Sequence, residues 1–212
     1  MGQHAVAARE AIARGSLRGA TLAALLQAVP TRDRDAWVDA VLGIAEMPDD
    51  DPSLPRGAVP YLPCGVAEIL AVVELVPLGP SSVLVDVGSG LGRVVVLAHL
   101  LSGACARGIE IQEHLASAAR ASAARLALHP PVVTFVHGDA TSEDVSLEGD
   151  VFFLYAPFNG EMLRRALERL RAVARSHPIV VCTVGVELAS EDWLTSRPPS
   201  SGALTIYDSR RS

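Results

Sequence analysis

Lysine is missing from this chain of 212 residues, and cysteine, methionine and aromatic side chains are scarce. The 18 basic residues are therefore all arginine, set against 24 acidic ones for a formal net charge of −6. Such an acidic balance disfavours sequence-independent nucleic-acid binding, whose affinity comes from neutralising phosphates. Cys64, Cys105 and Cys182 are widely separated, odd in number and free of any C-x-x-C spacing. They do not make a disulfide or zinc framework, and fit reduced thiols in a cytoplasmic protein. His4, Arg9 and Glu10 interrupt the start of the chain, where a secretory signal would need an apolar run. No stretch approaches the roughly 18 apolar residues that span a bilayer. The expectation is a cytoplasmic protein with no membrane partner. With 50% hydrophobic and 20% charged residues, it has the composition of a globular chain able to bury a core.

Three regions follow from the pattern. Residues 1–47 read as three Ala/Leu-rich helices, 6–14, 17–29 and 33–47, the last capped by Thr31 or Asp33 and carrying Trp37, Val38, Val41 and Leu42 at helical spacing. This helical appendage is either a lid or dimerisation arm, allowing a homodimer, or a cover for one face of a sheet. Residues 48–63 hold five prolines and the acidic run Asp49-Asp50-Asp51, and read as an extended linker with solvated charge. Residues 64–212 alternate helix and strand patterns. Strands are expected at 83–87, 104–111, 132–136, 151–155 and 179–184, then a closing antiparallel hairpin from Trp193-Leu194 and Ala203 to Asp208 around a turn at Pro198 to Gly202. The fold class is α/β, a doubly wound, mostly parallel sheet.

The chemistry concentrates where the first of these strands ends. Val83 to Val87 is β-branched and strand-like, Gly88-Ser89-Gly90-Leu91-Gly92 is a turn, and a helical pattern follows. Glycines at such a junction admit close backbone approach by a ligand, and the helix N-terminus adds free N–H groups. A dinucleotide fingerprint would read G-x-G-x-x-G. Here the third glycine comes one residue early, and Arg93 stands where that fingerprint has glycine. Asp86 also lies where a pyrophosphate would come, and suits instead a ligand with a cationic amino-acid end. Glu110, ending the next strand, is a carboxylate able to accept hydrogen bonds from both hydroxyls of a ribose.

The run D-V-G-S-G-L-G resembles the first motif of the class I S-adenosylmethionine (SAM) methyltransferases. The resemblance covers roughly residues 60–208 and implies a Rossmann-like seven-stranded sheet. It implies that Asp86, Gly88, Ser89, Gly90 and Gly92 hold the methionine end of SAM, Glu110 and Ile111 the ribose region, and Asp139 with Ala140, in G-D-A, the adenine. Tyr61, in Tyr-Leu-Pro, matches a pre-motif aromatic that lies over the methionine end in the non-SET protein-lysine methyltransferases, the nearest subgroup in likeness.

In amine methyltransferases of this fold the loop after the fourth strand reads [Asp/Asn]-Pro-Pro-[Tyr/Phe]. Here it reads Tyr155-Ala156-Pro157-Phe158, followed by Asn159. Tyr155 and Asn159 are the catalytic candidates, with Tyr155 also reaching the cofactor, and Ala156, Pro157 and Phe158 face the acceptor. Tyr155 in place of an amide clamp leaves the acceptor open. No metal is expected, Asp139 with Glu143 and Asp144 being a thin ligand set. The expected function is methyl transfer by in-line displacement to a nitrogen or oxygen of a small molecule or protein side chain. The alternatives are a non-catalytic SAM-binding scaffold and a nicotinamide-dependent oxidoreductase.

Overall fold

The computed structural model describes residues 2–188, 190–198 and 203–210. Its centre is five parallel strands: β1 (Val83–Val87), β2 (Cys105–Glu110), β3 (Val133–His137), β4 (Val151–Tyr155) and β5 (Val180–Val184). With β6 (Leu194–Ser196) and β7 (Leu204–Ser209) they form a seven-stranded sheet in the order β3-β2-β1-β4-β5-β7-β6, β7 antiparallel to both neighbours. The expected α/β sheet and its terminal hairpin are both present. Most of the turn expected at Pro198 to Gly202 lies outside the described residues.

The strand order reverses between β1 and β4, and this sets where a ligand can sit. The connection after β1 leads outward to β2 and β3, whereas the chain enters β4 from the other direction, leaving a crevice at the carboxyl ends of β1 and β4. Both are central strands buried on both faces, which is why they read as unbroken apolar runs. Phe152, Phe153 and Leu154 are each 0% exposed. Register carries the ends into line: Val87 pairs with Ile109 on one side and Leu154 on the other. The residues that follow, Gly88, Glu110 and Tyr155, therefore emerge together.

The two faces of the sheet are unequally covered. On one lie α4 (Val66–Leu75), α5 (Arg93–Ser102) and α6 (Glu113–Arg125), with α1 (Gly2–Ala13), α2 (Gly19–Ala28) and α3 (Thr31–Leu42) packed among and behind them in one continuous core. On the other, α7 (Gly160–Ser176) lays Ala166, Leu167 and Leu170 against Val85, Phe152 and Leu154. No helix connects β3 to β4.

The third helix ends at Leu42, earlier than its apolar spacing suggests. Gly43 adopts φ 76° and returns its N–H to the Asp39 carbonyl, closing the helix. The last-turn carbonyls, which have no partner inside a helix, are satisfied from other elements. Arg9 donates to the carbonyls of Ala40 and Val41, and Ser122 and Arg125 both donate to that of Leu42, at 2.6 and 3.1 Å. Thr31 opens the helix from within, and Asp33 lies in its first turn.

Arg93 ties the helical appendage to the rest. Its side chain, 6% exposed, donates to Asp39 at 2.5 Å, to Asp35 at 3.3 Å and to the Cys64 carbonyl at 2.7 Å. Asp35 also accepts the Val66 N–H at 2.8 Å, capping α4 from a different helix. Asp39→Ala leaves a buried guanidinium short of a counter-charge. Because Asp39 is itself 28% exposed, the expected loss is about 1–3 kcal/mol, below that for a wholly buried pair. Urea denaturation checks it, and an unchanged midpoint would show that Arg93 is held by its other contacts alone.

Candidate active site

The crevice at the β1–β4 switch point is a cavity of about 360 Å³ whose walls come from the strand ends, residues 58–62 and the loop after β4. The turn after β1 is stiffened from beneath: the N–H groups of Gly88 and Ser89 both donate to the Ile109 carbonyl, and that of Gly92 to the Ser89 carbonyl. Close approach explains two of the glycines. A methyl group on Gly88 would stand 2.6 Å from Pro157 Cβ, and one on Gly90 2.0 Å from Tyr61 Cε2. Tyr61 therefore lies directly on the glycine turn, where burial pushes its phenol up to about 12. Gly92 is turned away from the cavity, under Phe135 and Ala119.

Two carboxylates dominate the electrostatics. Glu110 accepts the Gly90 N–H at 2.7 Å on one oxygen and the Gln112 N–H at 2.9 Å on the other. Burial raises its carboxyl above the usual range, against the pull of these N–H groups. Asp86 is 2% exposed and accepts no hydrogen bond among the described residues. Burial first, and then the neighbouring Glu110, hold its carboxyl well above the usual aspartate range. A buried carboxylate without a donor is unfavourable in the empty fold, and its presence argues for a cation or donor brought by a ligand.

Beyond Glu110, Ile109, Ile111, Gly138, Asp139 and Ala140 form the next wall. One oxygen of Asp139 accepts the Thr141 N–H at 2.7 Å, while the Ala140 N–H has no partner among the described residues. At the opposite end Tyr155, Ala156, Pro157 and Phe158 meet Val184 and Gly185. Burial, with Cys64 and Glu68 nearby, raises the Tyr155 phenol above its ordinary value, so it stays protonated at neutral pH. Among the described residues, no three His, Cys, Asp or Glu side chains cluster to hold a metal ion.

Residues 65–135, a third of the chain, match the family model described as "Histone methylation protein DOT1". No curated protein matches the sequence. An RNA methyltransferase from Salinibacter ruber, solved with S-adenosyl-L-homocysteine, is 26% identical with a TM-score of 0.50, over 69% of this chain and 92% of that one. A mutant of MtNAS solved with S-adenosylmethionine is 19% identical (TM-score 0.55; 69% and 63% of the two chains). The mitomycin 7-O-methyltransferase MmcR is 16% identical (TM-score 0.52; 70% and 55%). The chain thus spans less than two thirds of the last two proteins, and those two likenesses bear on the fold alone.

The chain has the fold of the class I SAM-dependent methyltransferases.

Of the residues expected in the methyltransferase crevice, Tyr61, Gly88, Glu110, Ile111, Asp139, Ala140 and Tyr155 to Phe158 line one cavity. Asp86, Gly90 and Gly92 are not among its lining residues; Gly90 lies under Tyr61, and Asp86 is buried in β1 behind the glycine turn. Ser89 is buried with its hydroxyl unpartnered, directed at Gly108 rather than at the cavity. Asn159 is not brought in: it is exposed at the start of α7, with its backbone N–H on the Gly57 carbonyl. Phe158 is a buried wall residue, 7% exposed and packed with the α7 core.

Among the described residues, 2–47 contribute nothing to the cavity lining; the linker covers it instead. Nor is the acidic run merely solvated. Asp50 accepts the Tyr61 N–H and the Gln112 side-chain amide on one oxygen, both at 2.8 Å, while the Asp51 N–H donates to Gln112 Oε1 at 2.7 Å. At its other end the linker bonds to the loop after β4, Val59 N–H to the Pro157 carbonyl and Asn159 N–H to the Gly57 carbonyl. Sequence reading missed Gln112 and Asp50, because nothing local signals a contact between residues so far apart in the chain.

Because the folded Asp86 carboxyl titrates above its unfolded value, its stabilising contribution is present below the ordinary aspartate value of 3.8 and is lost as pH rises through the folded value. Asp86→Asn removes that loss. The variant is expected to unfold at higher temperature than wild type at neutral pH, the gap closing as pH falls toward about 4. Thermal unfolding over that range checks the sign; a variant less stable than wild type at neutral pH would contradict it.

Proposed function

We propose that this methyltransferase binds SAM in the crevice and transfers its methyl group to an uncharged nitrogen of the acceptor. The observation that carries the reading is the donor-less, buried carboxylate of Asp86 at the glycine turn. A SAM ammonium group would supply the cation this carboxylate lacks. The remaining fittings agree with it. Glu110 keeps lone pairs for ribose hydroxyls, Ile109 and Ile111 offer apolar surface to a base, and Asp139 and the free Ala140 N–H offer an acceptor and a donor to its edge. When bound, SAM supplies an electrophilic methyl carbon and a sulfide leaving group.

The chain's own part is to position and to exclude water. Tyr61 closes the methionine end, and the linker roofs the crevice. The preference for nitrogen comes from what lies at the acceptor end. Asp86, Glu110 and Asp139 are committed to the cofactor, Glu68 lies near Tyr155 but outside the cavity lining, and the Tyr155 phenol is protonated at neutral pH. An alcohol would need a base to take its proton during attack, whereas a neutral amine already has a lone pair and loses its proton after transfer. Tyr155 then orients the acceptor nitrogen through its hydroxyl, and the apolar walls favour the uncharged form of an amine.

Calorimetric titration with SAM and S-adenosylhomocysteine tests the site. Asp86→Ala and Glu110→Ala are each expected to weaken binding by about tenfold or more, the scale of a lost charge-assisted hydrogen bond. Binding to the ionised form of Asp86 releases a proton, so affinity should fall as pH drops through its raised value, and the heat should depend on the buffer. Unchanged affinity in both variants would reject the site. Tyr155→Phe addresses the chemistry: transfer of tritiated methyl from labelled SAM into lysate fractions should fall about tenfold or more with S-adenosylhomocysteine affinity kept. Full labelling would leave the phenol without a chemical role.

A further inference from the structure

The stretch from β3 to β4, residues 138–150, has to place Asp139 and Ala140 at the crevice without a helix to hold it. It makes a few bonds of its own: Thr141 N–H to Asp139 Oδ1, Ser142 N–H to the Asp139 carbonyl and Val145 N–H to the Ser142 carbonyl. These leave outward carbonyls at Ala140, Thr141 and Val145. All three are met by arginines of α7. Arg169 donates through Nη1 to the Ala140 carbonyl at 2.6 Å and through Nη2 to the Val145 carbonyl at 2.5 Å, and Arg165 donates to the Thr141 carbonyl at 3.4 Å.

Arg165 and Arg169 are one helical turn apart, beside the stripe of Ala166, Leu167 and Leu170 that anchors α7 to the sheet. The fork of Arg169 spans both ends of the segment that follows Asp139, as a planar guanidinium can and a single-point cation cannot. The half-buried Arg169 has its pKa lowered by burial, partly offset by Glu143 and Asp139, and among the described residues both of its hydrogen bonds go to main-chain carbonyls. Its donors go to backbone, so it fixes geometry rather than charge.

We infer that Arg169 is a positioning residue that sets base selectivity, holding the Ala140 peptide and the Asp139 carboxylate where they read the edge of the purine. It does not touch the cofactor. The inference rests on the SAM reading above and deepens it. It also ties the two halves of the site, because α7 begins directly after the Tyr155–Asn159 loop and grips the purine loop from its middle.

The test compares S-adenosylhomocysteine with S-inosylhomocysteine, which has an oxo group where adenine has its amino group. Wild type is expected to prefer the adenosyl compound. Arg169→Met keeps the apolar stem packed while removing both donors. It should weaken adenosyl binding by about tenfold or more and bring the two dissociation constants close together, with the circular dichroism spectrum unchanged. Arg169→Lys, with one donor group in reach, should recover part of the preference, and Arg165→Ala, which loses a longer and more exposed contact, should lose less of it. A structural role alone would lower stability without changing the ratio, so a folded Arg169→Met with wild-type discrimination overturns the inference. If wild type binds neither compound, the SAM reading itself fails and takes the inference with it. Should Arg169→Met not fold, the ratio in Arg169→Lys and Arg165→Ala decides, an unchanged ratio in both overturning the inference.

Discussion

Two buried carboxylates at the ends of adjacent parallel strands are the constraint around which this molecule is arranged. Asp86 lies on β1, in register with Gly108, and Glu110 ends β2 two residues further on. Like charges this close in an interior raise each other's cost of ionising. Glu110 is relieved by backbone N–H groups from the glycine turn and from its own strand end; Asp86 has no such relief. A fold selected for stability alone would not keep an unpaired aspartate in its central strand. Its retention at the switch point is the kind of local conflict that marks a functional site.

The surrounding structure serves to keep that conflict dry and in place. One face of the sheet carries a double layer of helices, and Arg93, the first residue of α5 after the glycine turn, is gripped by two aspartates of α3. The appendage thus braces the back of the glycine turn. The opposite face has α7 and long connections, so the crevice on that side is shaped by loops. Those loops are held by side chains: Gln112 on the linker and Arg165 and Arg169 on the segment before β4. In a chain without lysine, every cationic tie of this kind is a guanidinium. Arg9, Arg125, Arg165 and Arg169 all donate to main-chain carbonyls, satisfying acceptors that helix ends and irregular loops leave open.

Legibility in the sequence followed the range of the interactions involved. Periodicity is a local property, so the strand runs from Val83 and Val151 and the closing hairpin could all be read directly. The glycine turn was legible because close approach demands glycine whatever the partner, and Glu110 because its chemistry is tied to a strand end. The readings that needed correction were a local stop at a left-handed glycine and two placements set by distant segments. The helix from Thr31 stops at Gly43 rather than running on to residue 47, and the acidic run at Asp49 is a latch rather than a solvated tract. Asn159, adjacent to the acceptor loop in sequence, points out of it because the chain turns there to start α7.

By itself, the sequence determined the α/β class, the order of its elements and the glycine turn at the end of β1. Each of these is encoded within a few residues, through spacing, β-branching or the absence of a Cβ. Only the tertiary structure decided that the linker and not the N-terminal helices roofs the site, that Tyr61 rests on Gly90, and that Arg169 steadies the loop carrying Asp139. Those outcomes depend on segments distant in the chain meeting at the sheet edge. No local pattern specifies such a meeting; it is settled when the strands pair in register and the core closes.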